Sequence, residues 1–447
     1  MTQLKHWLTF IVPSLIGIAL FMTPVPFQDG NTEGVTVAVK IIADALLGKL
    51  GESIGLILVS VIILSALLSL MAKLSASVAK HIPNFFGDLF TPSWFWLVVR
   101  LVGALFAGLI YWQVGSELVI SEYTGGLLLN ELMPSLFAVF LFAGLLLPLL
   151  LNFGLLEFIG SLMTPIMRPI FKLPGRSAVD CTTSWLGDGT VGVLLTTKQY
   201  EQGHYSQKEA AIIATSFSLV SISFTLVIIN QVGLSHMTFS MYGAIALANL
   251  VAAVIMPRIP PLSRKLNRCV DGSPVPTEGN AQISAITAGK QAALARAAQV
   301  RNPLMELVDG LKNSAEMIFG LLPVVLAFGT IALVIAENTP VFTWLGAPFV
   351  PLLELLQIPH AQEIGATVVI GFTDMFLPAI LVAELDSELT RFVIGALSVT
   401  QLIYMSEVGA LLLGSKLPLK FIDIVLIFIL RTLITLPVIA LVAHMVF

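Results

Sequence analysis

The sequence has few charged residues. Asp, Glu, Lys and Arg make up only 11% of its 447 residues, whereas hydrophobic residues make up 57%, and the mean hydropathy is +0.94. A soluble domain carries about 25% charged residues. Several apolar windows also exceed the roughly 18 residues that can cross a bilayer as a helix. The shortage of charge therefore excludes a soluble globular protein and predicts an all-α polytopic membrane protein.

Cysteine is almost absent as well. Cys181 and Cys269 are the only two, which argues against a disulfide framework and against a thiolate metal site. The sequence contains no P-loop, dinucleotide-binding or nucleic-acid-binding motif, and no pairing of a nucleophile with a base. We therefore expect no catalytic residue, no bound cofactor, no metal and no nucleic-acid partner, and we predict that the protein is not an enzyme.

About nine apolar runs are long enough to cross the membrane once each. They are residues 7–23, 53–71, 94–112, 132–152, 207–229, 239–257, 315–335, 390–413 and 421–445. Residues 258–312 form the one long polar interval, and its many Lys and Arg residues place it in the cytoplasm by the positive-inside rule. The N-terminus is then predicted to be cytoplasmic too.

Two apolar stretches remain, residues 177–199 and 364–385, and each contains an aspartate among small residues, Asp188 or Asp374. If each crossed the membrane once, the basic interval would lie outside the cell, against the positive-inside rule. We therefore predict two re-entrant helical hairpins. Half of such a stretch is about 11 residues, or roughly 16 Å of helix, close to half of a 30 Å hydrocarbon core. The two aspartates would then lie at the hairpin tips, near the membrane midplane.

The second half of the chain repeats the first half at low identity. Equivalent pairs of segments are 158–174 with 344–359, 188–195 with 374–381, and 211–225 with 392–406. The first pair aligns Gly160 with Gly346. The segment 158–174 is basic, whereas its counterpart is flanked by Glu residues, so the two copies are predicted to face opposite sides of the membrane. Inverted repeats with broken helices are typical of secondary transporters.

The tips of the two hairpins carry a family resemblance. The sequence Gly371-Phe372-Thr373-Asp374 and the segment 187–190 resemble the nucleoside-recognition, or Gate, domain of bacterial YjiH-type membrane proteins. More distantly, residues 132–415 are similar to concentrative nucleoside transporters and to the membrane part of ferrous-iron transporters. The resemblance implies an elevator-like carrier coupled to Na⁺ or H⁺ in the bacterial inner membrane, assembled as a homodimer or homotrimer. A Gln-Thr-Glu-type tip contacts the solute in those nucleoside transporters, and Asp and Gly stand at the corresponding positions here.

On this basis the chain divides into five parts. They are an N-terminal scaffold (1–131), a first Gate repeat (132–257) with an interfacial helix (155–173) and hairpin (177–199), a cytoplasmic linker (258–312), a second Gate repeat (313–415) with an interfacial helix (339–358) and hairpin (364–385), and a C-terminal transmembrane helix (416–447).

The candidate solute-binding or ion-binding residues lie at the hairpin tips and on the spans that follow. An ionised carboxylate near the bilayer centre costs about 2.5–3.5 kcal/mol, so Asp188 and Asp374 are expected to face a cavity or a partner. Each is either a ligand for a cation, an amine or a proton, or a cap on the second half-helix of its hairpin. The other tip candidates are Thr183, Ser184, Gly187, Gly189, Thr190, Gly371 and Thr373, and the span candidates are Ser218, Ser221, Thr225, Ser398, Gln401 and Tyr404.

Two more charged residues lie within predicted spans. Arg431 is near the middle of the last span, where a cation that cannot deprotonate needs a partner. The simplest interpretation is a structural ion pair between Arg431 and Glu407. The rival interpretation makes Glu407 a coupling carboxylate that is released on protonation.

Several function classes fit these patterns. The leading prediction is a secondary active transporter of a small polar metabolite, with a nucleoside or nucleobase as the solute that the resemblance implies. The alternatives are a carrier of amino acids or short peptides, a metal-ion permease, and a non-transporting membrane scaffold or sensor.

Overall fold

The computed structural model describes residues 2–29, 32–74, 89–186, 189–217, 219–274, 284–300 and 303–447. Within these residues seven helical segments are long and apolar enough to cross a membrane. They are Leu4–Phe21, Ser53–Leu74, Trp94–Tyr111, Glu117–Leu151, Ser235–Arg264, Val308–Asn338 and Phe421–Val446. The chain is therefore a multi-pass helical membrane protein, as its composition predicts.

The other two predicted spans are helices that break in the middle. Broken span 1 consists of Gln207–Ile212, a π-helical turn at Ile213–Phe217 and a second half at Ile222–Gln231. Broken span 2 consists of Glu388–Gln401 and Val408–Gly414. Ser221 starts the second half of broken span 1, since its hydroxyl accepts from the Phe224 N–H at 3.2 Å. Leu402 ends the first half of broken span 2 with a left-handed backbone, φ +61°.

The two predicted hairpins are present as pairs of short helices in contact with each other. Hairpin 1 consists of Ser177–Leu186 and Gly189–Glu201, and hairpin 2 of Ala361–Ile370 and Leu377–Val382. Each follows an interfacial segment, Leu155–Phe171 in the first repeat and the short helices Val341–Gly346, Ala347–Phe349 and Val350–Leu355 in the second.

In each repeat a glycine allows the segment predicted to be interfacial to approach its hairpin or the turn before that hairpin. In the first repeat a Cβ on Gly175 would lie 1.9 Å from the carbonyl oxygen of Gly160. In the second repeat a Cβ on Gly346 would lie 2.4 Å from the carbonyl oxygen of Gly365. Real Cβ atoms do not approach that closely, so both contacts need glycine. Glycine is thus required at Gly175 in the first repeat and at Gly346 in the second, whereas a Cβ on Gly160 would come no closer than 3.2 Å to Arg176.

Part of the predicted linker packs against the first repeat. Its helix Ala285–Gln299 lies against Leu155–Phe171 and against Thr2–Phe21. The contact face is formed by small residues, because Gly289, Ala293 and Ala297 are buried. A following helix, Pro303–Ala315, continues through a π-helical turn, Glu316–Leu321, into Leu322–Asn338.

The scaffold region contains one feature that the sequence analysis does not predict. Strands Pro24–Asp29 and Thr32–Val37 pair antiparallel, and a helix, Ala38–Leu50, follows them. The remaining helices and turns of the described chain are Glu117–Ile120, Gly125–Leu127, Leu128–Leu132 (π), Met133–Leu146, Pro148–Leu151, Ser235–Met237 (3₁₀), Thr238–Ile255, Met256–Arg258 (3₁₀) and Leu262–Arg264 (3₁₀).

Candidate functional site

The tip of hairpin 2 is joined to the break in broken span 2 through the backbone. The N–H of Met405 donates to the Phe372 carbonyl at 2.8 Å, and the N–H of Ser406 donates to the Thr373 carbonyl at 2.8 Å. Backbone freed from a helix inside a membrane must find partners within the protein. The hairpin tip provides them here, and the two irregular segments therefore form one unit.

Asp374 lies at the centre of this unit. Its Oδ1 accepts from the N–H groups of Phe376 (2.7 Å) and Leu377 (3.2 Å), and its Oδ2 accepts from the Ser406 hydroxyl at 2.8 Å. The side chain is only 7% exposed. The carboxylate thus caps the second arm of hairpin 2, where the exposed N–H groups and the helix dipole favour a negative charge. Capping does not exclude ligand binding, since a capping carboxylate can also bind a cation. Ligand binding by Asp374 therefore stays a prediction.

Gln401 fixes the second hairpin against the first half of broken span 2. Its Nε2 donates to the Val368 carbonyl at 2.8 Å and to the Thr432 hydroxyl at 3.0 Å. A Cβ on Gly371 would lie 2.0 Å from the Gln401 Oε1, so a larger residue at this point of the tip would displace the Gln401 side chain. Gln401 is 1% exposed and serves as a structural tie in this arrangement.

The other polar candidates of broken span 2 are buried near Gln401. The Ser398 hydroxyl donates to the Gly395 carbonyl at 3.0 Å, within its own helix. Tyr404 lies in the break itself and is 6% exposed.

The first repeat has an equivalent contact between hairpin and break. The Ser184 hydroxyl, near the tip of hairpin 1, donates to the Leu219 carbonyl at 2.9 Å, in the break of broken span 1. The Thr225 hydroxyl donates to the Ser221 carbonyl at 2.9 Å. Thr183 is fully buried, and its hydroxyl has no partner among the described residues.

The second arm of hairpin 1 begins at Gly189, and Thr190 on that arm is 1% exposed. Gly187, Asp188 and Ser218 lie outside the described residues.

The two repeats meet around these segments. The ring of Phe224, in the second half of broken span 1, packs edge-on against the ring of Phe376, at the start of the second arm of hairpin 2, with centroids 6.2 Å apart. The second arm of hairpin 1 in turn contacts the second half of broken span 2. Each hairpin therefore touches a broken span of the other repeat.

The position of Arg431 corrects the predicted ion pair with Glu407. Arg431 is fully buried, and its Nε donates to the Thr400 carbonyl at 2.5 Å, while its Nη2 donates to the Asn249 Oδ1. No carboxylate of the described chain is paired with it. The guanidinium points to the helix Thr238–Ile255 of the first repeat, whereas Glu407 lies in the break of broken span 2.

The sequence analysis missed Asp180, in the first arm of hairpin 1. Its carboxylate is 1% exposed and accepts from Gln199 Nε2 (2.6 Å), the Thr196 hydroxyl (2.9 Å) and the Tyr205 hydroxyl (3.1 Å). These bonds join the two arms of the hairpin and the turn that follows. A carboxylate within an apolar segment is a sufficient signal for it, but the only carboxylate among the predicted site residues of hairpin 1 is Asp188, at the tip.

Comparisons with known proteins identify a family model and relatives that this chain resembles. A family model described as Gate, nucleoside recognition, matches residues 133–235. The chain is 46% identical to the uncharacterized protein BpOF4_10220 of Alkalihalophilus pseudofirmus, over 98% of this chain and 95% of that protein. It is 32% identical over 82 residues to the sporulation integral membrane protein YlbJ of Bacillus subtilis, covering 18% of this chain and 19% of that protein.

A solved structure of a CNTnw variant in an outward-facing state covers 100% of both chains, with 14% identity and a TM-score of 0.47. The Gate resemblance predicted from the hairpin tips is confirmed by the family model. The chain is a multi-pass membrane protein that carries a Gate domain and belongs to the same family as BpOF4_10220.

Proposed function

We propose that this protein is a secondary carrier that moves a small polar solute, a nucleoside or a nucleobase, across the bacterial cytoplasmic membrane with Na⁺ or H⁺ as the coupling ion. The match to the nucleoside-recognition model supports the choice of solute. Two helical hairpins that meet two broken spans support the transport function, since discontinuous helices of inverted repeats hold solute and ion in secondary transporters.

The observation that carries this proposal is the environment of Asp374. Its carboxylate lies where the tip of hairpin 2, the break of broken span 2 and Phe224 of the other repeat come together. It combines a negative charge, half-helix N–H groups and the Ser406 hydroxyl within hydrogen-bonding distance of one another. Such a set can bind a cation, or the hydroxyl and ring nitrogen groups of a nucleoside.

In this mechanism the hairpins and broken spans move together as one body against the remaining spans. The backbone bonds between hairpin 2 and broken span 2 support movement as a unit. We further propose that the carrier is a homodimer or homotrimer with a cytoplasmic N-terminus and a cytoplasmic linker.

A thermal-shift screen of the purified protein tests the proposal. Nucleosides and nucleobases, with amino acids, dipeptides and divalent metals as competing classes, are added with and without Na⁺. We expect one class, nucleosides or nucleobases, to raise the melting temperature of the wild type and to lose this effect in Asp374→Asn. Asp188→Asn is measured alongside.

Asp423→Asn is the matched control. Asp423 also caps a helix, accepting from the Lys420 N–H at 2.9 Å and from Lys265 Nζ at 2.6 Å, and neither of these partners belongs to a hairpin. Stabilisation by another class would replace the proposed solute with that class. No stabilisation by any compound, with unchanged stability of the variants, would favour a non-transporting role.

A further inference from the structure

Arg431 is a buried cation with no ion-pair partner among the residues that the structure describes. Two of its three guanidinium nitrogens donate to neutral oxygens, of Thr400 and Asn249, and its Nη1 has no partner among the described residues. An arginine stays protonated at every attainable pH. Leaving such a charge unpaired inside a membrane protein is costly, and charged residues at this depth usually mark a solute or ion path.

A cavity lies directly against the partners of this guanidinium. Asn249 and Val399 line a crevice of about 200 Å³, and Val399 precedes Thr400, whose carbonyl accepts from Arg431. The positive charge thus lies behind the wall to which Asn249 and Val399 belong, and Arg431 itself does not line the crevice. Ser216 lines the same crevice, is fully buried, and has a hydroxyl without a partner in the described chain.

The rest of the crevice is apolar and rich in rings. Phe171, Phe217, Trp185 and Tyr242 contribute aromatic side chains, and the Trp185 Nε1 donates to the Tyr242 hydroxyl at 2.6 Å. Trp185 belongs to hairpin 1 near its tip. The crevice therefore adjoins a segment that holds the solute under the proposed function.

We propose that this crevice binds an anionic group, a carboxylate or a phosphate, on an apolar or ring-shaped body, and that Arg431 supplies the counter-charge. This inference rests on the proposed function and adds that the solute carries a negative charge, as a nucleobase carboxylate or a nucleoside phosphate does. The anion would accept a hydrogen bond from the Ser216 hydroxyl, which lines the crevice, while Arg431, behind the wall to which Asn249 belongs, would supply the positive charge. An anionic lipid headgroup has the same chemistry, and Leu250, on the rim, is exposed.

Pairs of compounds that differ by one anionic group test whether the negative charge of the ligand contributes to binding. Orotate differs from uracil by one carboxylate, and uridine monophosphate differs from uridine by one phosphate. Binding is measured by calorimetry and thermal shift in nanodiscs of phosphatidylcholine alone. We expect the wild type to bind the charged member of one pair about tenfold or more tightly than its neutral partner, since hydrogen bonds to charged groups are the strong ones.

Two variants test the role of Arg431. Arg431→Gln should remove the preference for the anion. Asn249→Asp places a carboxylate where the Asn249 amide now accepts from Arg431, so it should stabilise the fold and also abolish anion binding. The second variant keeps the test valid if Arg431→Gln does not fold. The control is Arg100→Gln, a buried arginine whose hydrogen-bond partners, Ser69 and Leu89, do not line this crevice.

A second set of nanodiscs, containing phosphatidylglycerol, identifies the source of the anion. If only this lipid stabilises the wild type, and Asn249→Asp loses the effect, the site binds a headgroup. Two results would overturn the proposal of an anion site. One is equal binding of charged and neutral compounds together with no stabilisation by phosphatidylglycerol, and the other is unchanged anion binding in Asn249→Asp. The proposed function is tested separately, by measuring whether Asp374→Asn weakens the binding of uracil or uridine.

Discussion

The hydrogen bond between Ser406 and Asp374 gives the sharpest energetic prediction. It joins the break of broken span 2 to the tip of hairpin 2, and its partners are 0% and 7% exposed. Ser406→Ala removes a hydroxyl from a buried carboxylate, so we expect it to lower the free energy of unfolding by about 1.5–3 kcal/mol. In an Asp374→Asn background the lost bond is between neutral groups, and the expected cost falls to about 0.5–1.5 kcal/mol.

A double-mutant cycle measures the difference. The coupling energy between the two positions should be about 1 kcal/mol, because asparagine keeps the helix cap and removes only the charge. Unfolding is followed by tryptophan fluorescence in mixed micelles during titration with a denaturing detergent. The control cycle combines Asp374→Asn with Ser184→Ala, the hydroxyl that joins hairpin 1 to Leu219, and should give additive effects. A coupling energy within about 0.3 kcal/mol of zero at Ser406 would refute the predicted contact.

Three further predictions concern the hairpins. Gly346→Ala should lower the free energy of unfolding by about 1–3 kcal/mol in the same titration, since its Cβ would overlap the backbone of hairpin 2. The control is Gly243→Ala, which should not destabilise the protein, because nothing lies within 4 Å of the added Cβ. Asp180→Ala should cost about 3 kcal/mol or more, because three buried donors lose their acceptor; a cost below about 1 kcal/mol would contradict this network. In a variant without the native cysteines, Lys172→Cys and Gln202→Cys should react with an impermeant thiol reagent from the cytoplasmic side only, and labelling from opposite sides would show that hairpin 1 crosses the membrane.

The sequence predicts the broad architecture because its signals are local. Apolar runs indicate spans. The positive-inside rule places the basic linker in the cytoplasm, and this placement predicts that the two stretches with aspartates are hairpins and not single crossings. The alignment of the repeats also includes Gly346, which the close approach to Gly365 requires, but it does not include Gly175, the glycine that the first repeat requires. The tip of hairpin 2 can also be predicted from the sequence, because a capping residue such as Asp374 directly precedes the half-helix that it caps.

Long-range contacts explain what the sequence does not predict. Arg431 was expected to pair with a carboxylate, but its partners, Asn249 and Thr400, come from two other helices, and one of them is a backbone carbonyl. Hydropathy also gives no sign of the breaks in the two broken spans. Both breaks are stabilised by contacts with hairpin tips that lie elsewhere in the sequence, such as Ser184 with Leu219.

Uptake into proteoliposomes tests the central claim most directly. The membrane potential contributes about 2.3 kcal/mol per charge at 100 mV, enough to concentrate a coupled solute roughly fifty-fold. We predict that an inward Na⁺ or H⁺ gradient drives accumulation of a labelled nucleoside, nucleobase or their charged derivative, that Asp374→Asn abolishes it, and that Asp423→Asn retains it. Absence of gradient-driven uptake of all of these by folded wild-type protein, or full uptake by Asp374→Asn, would contradict the account.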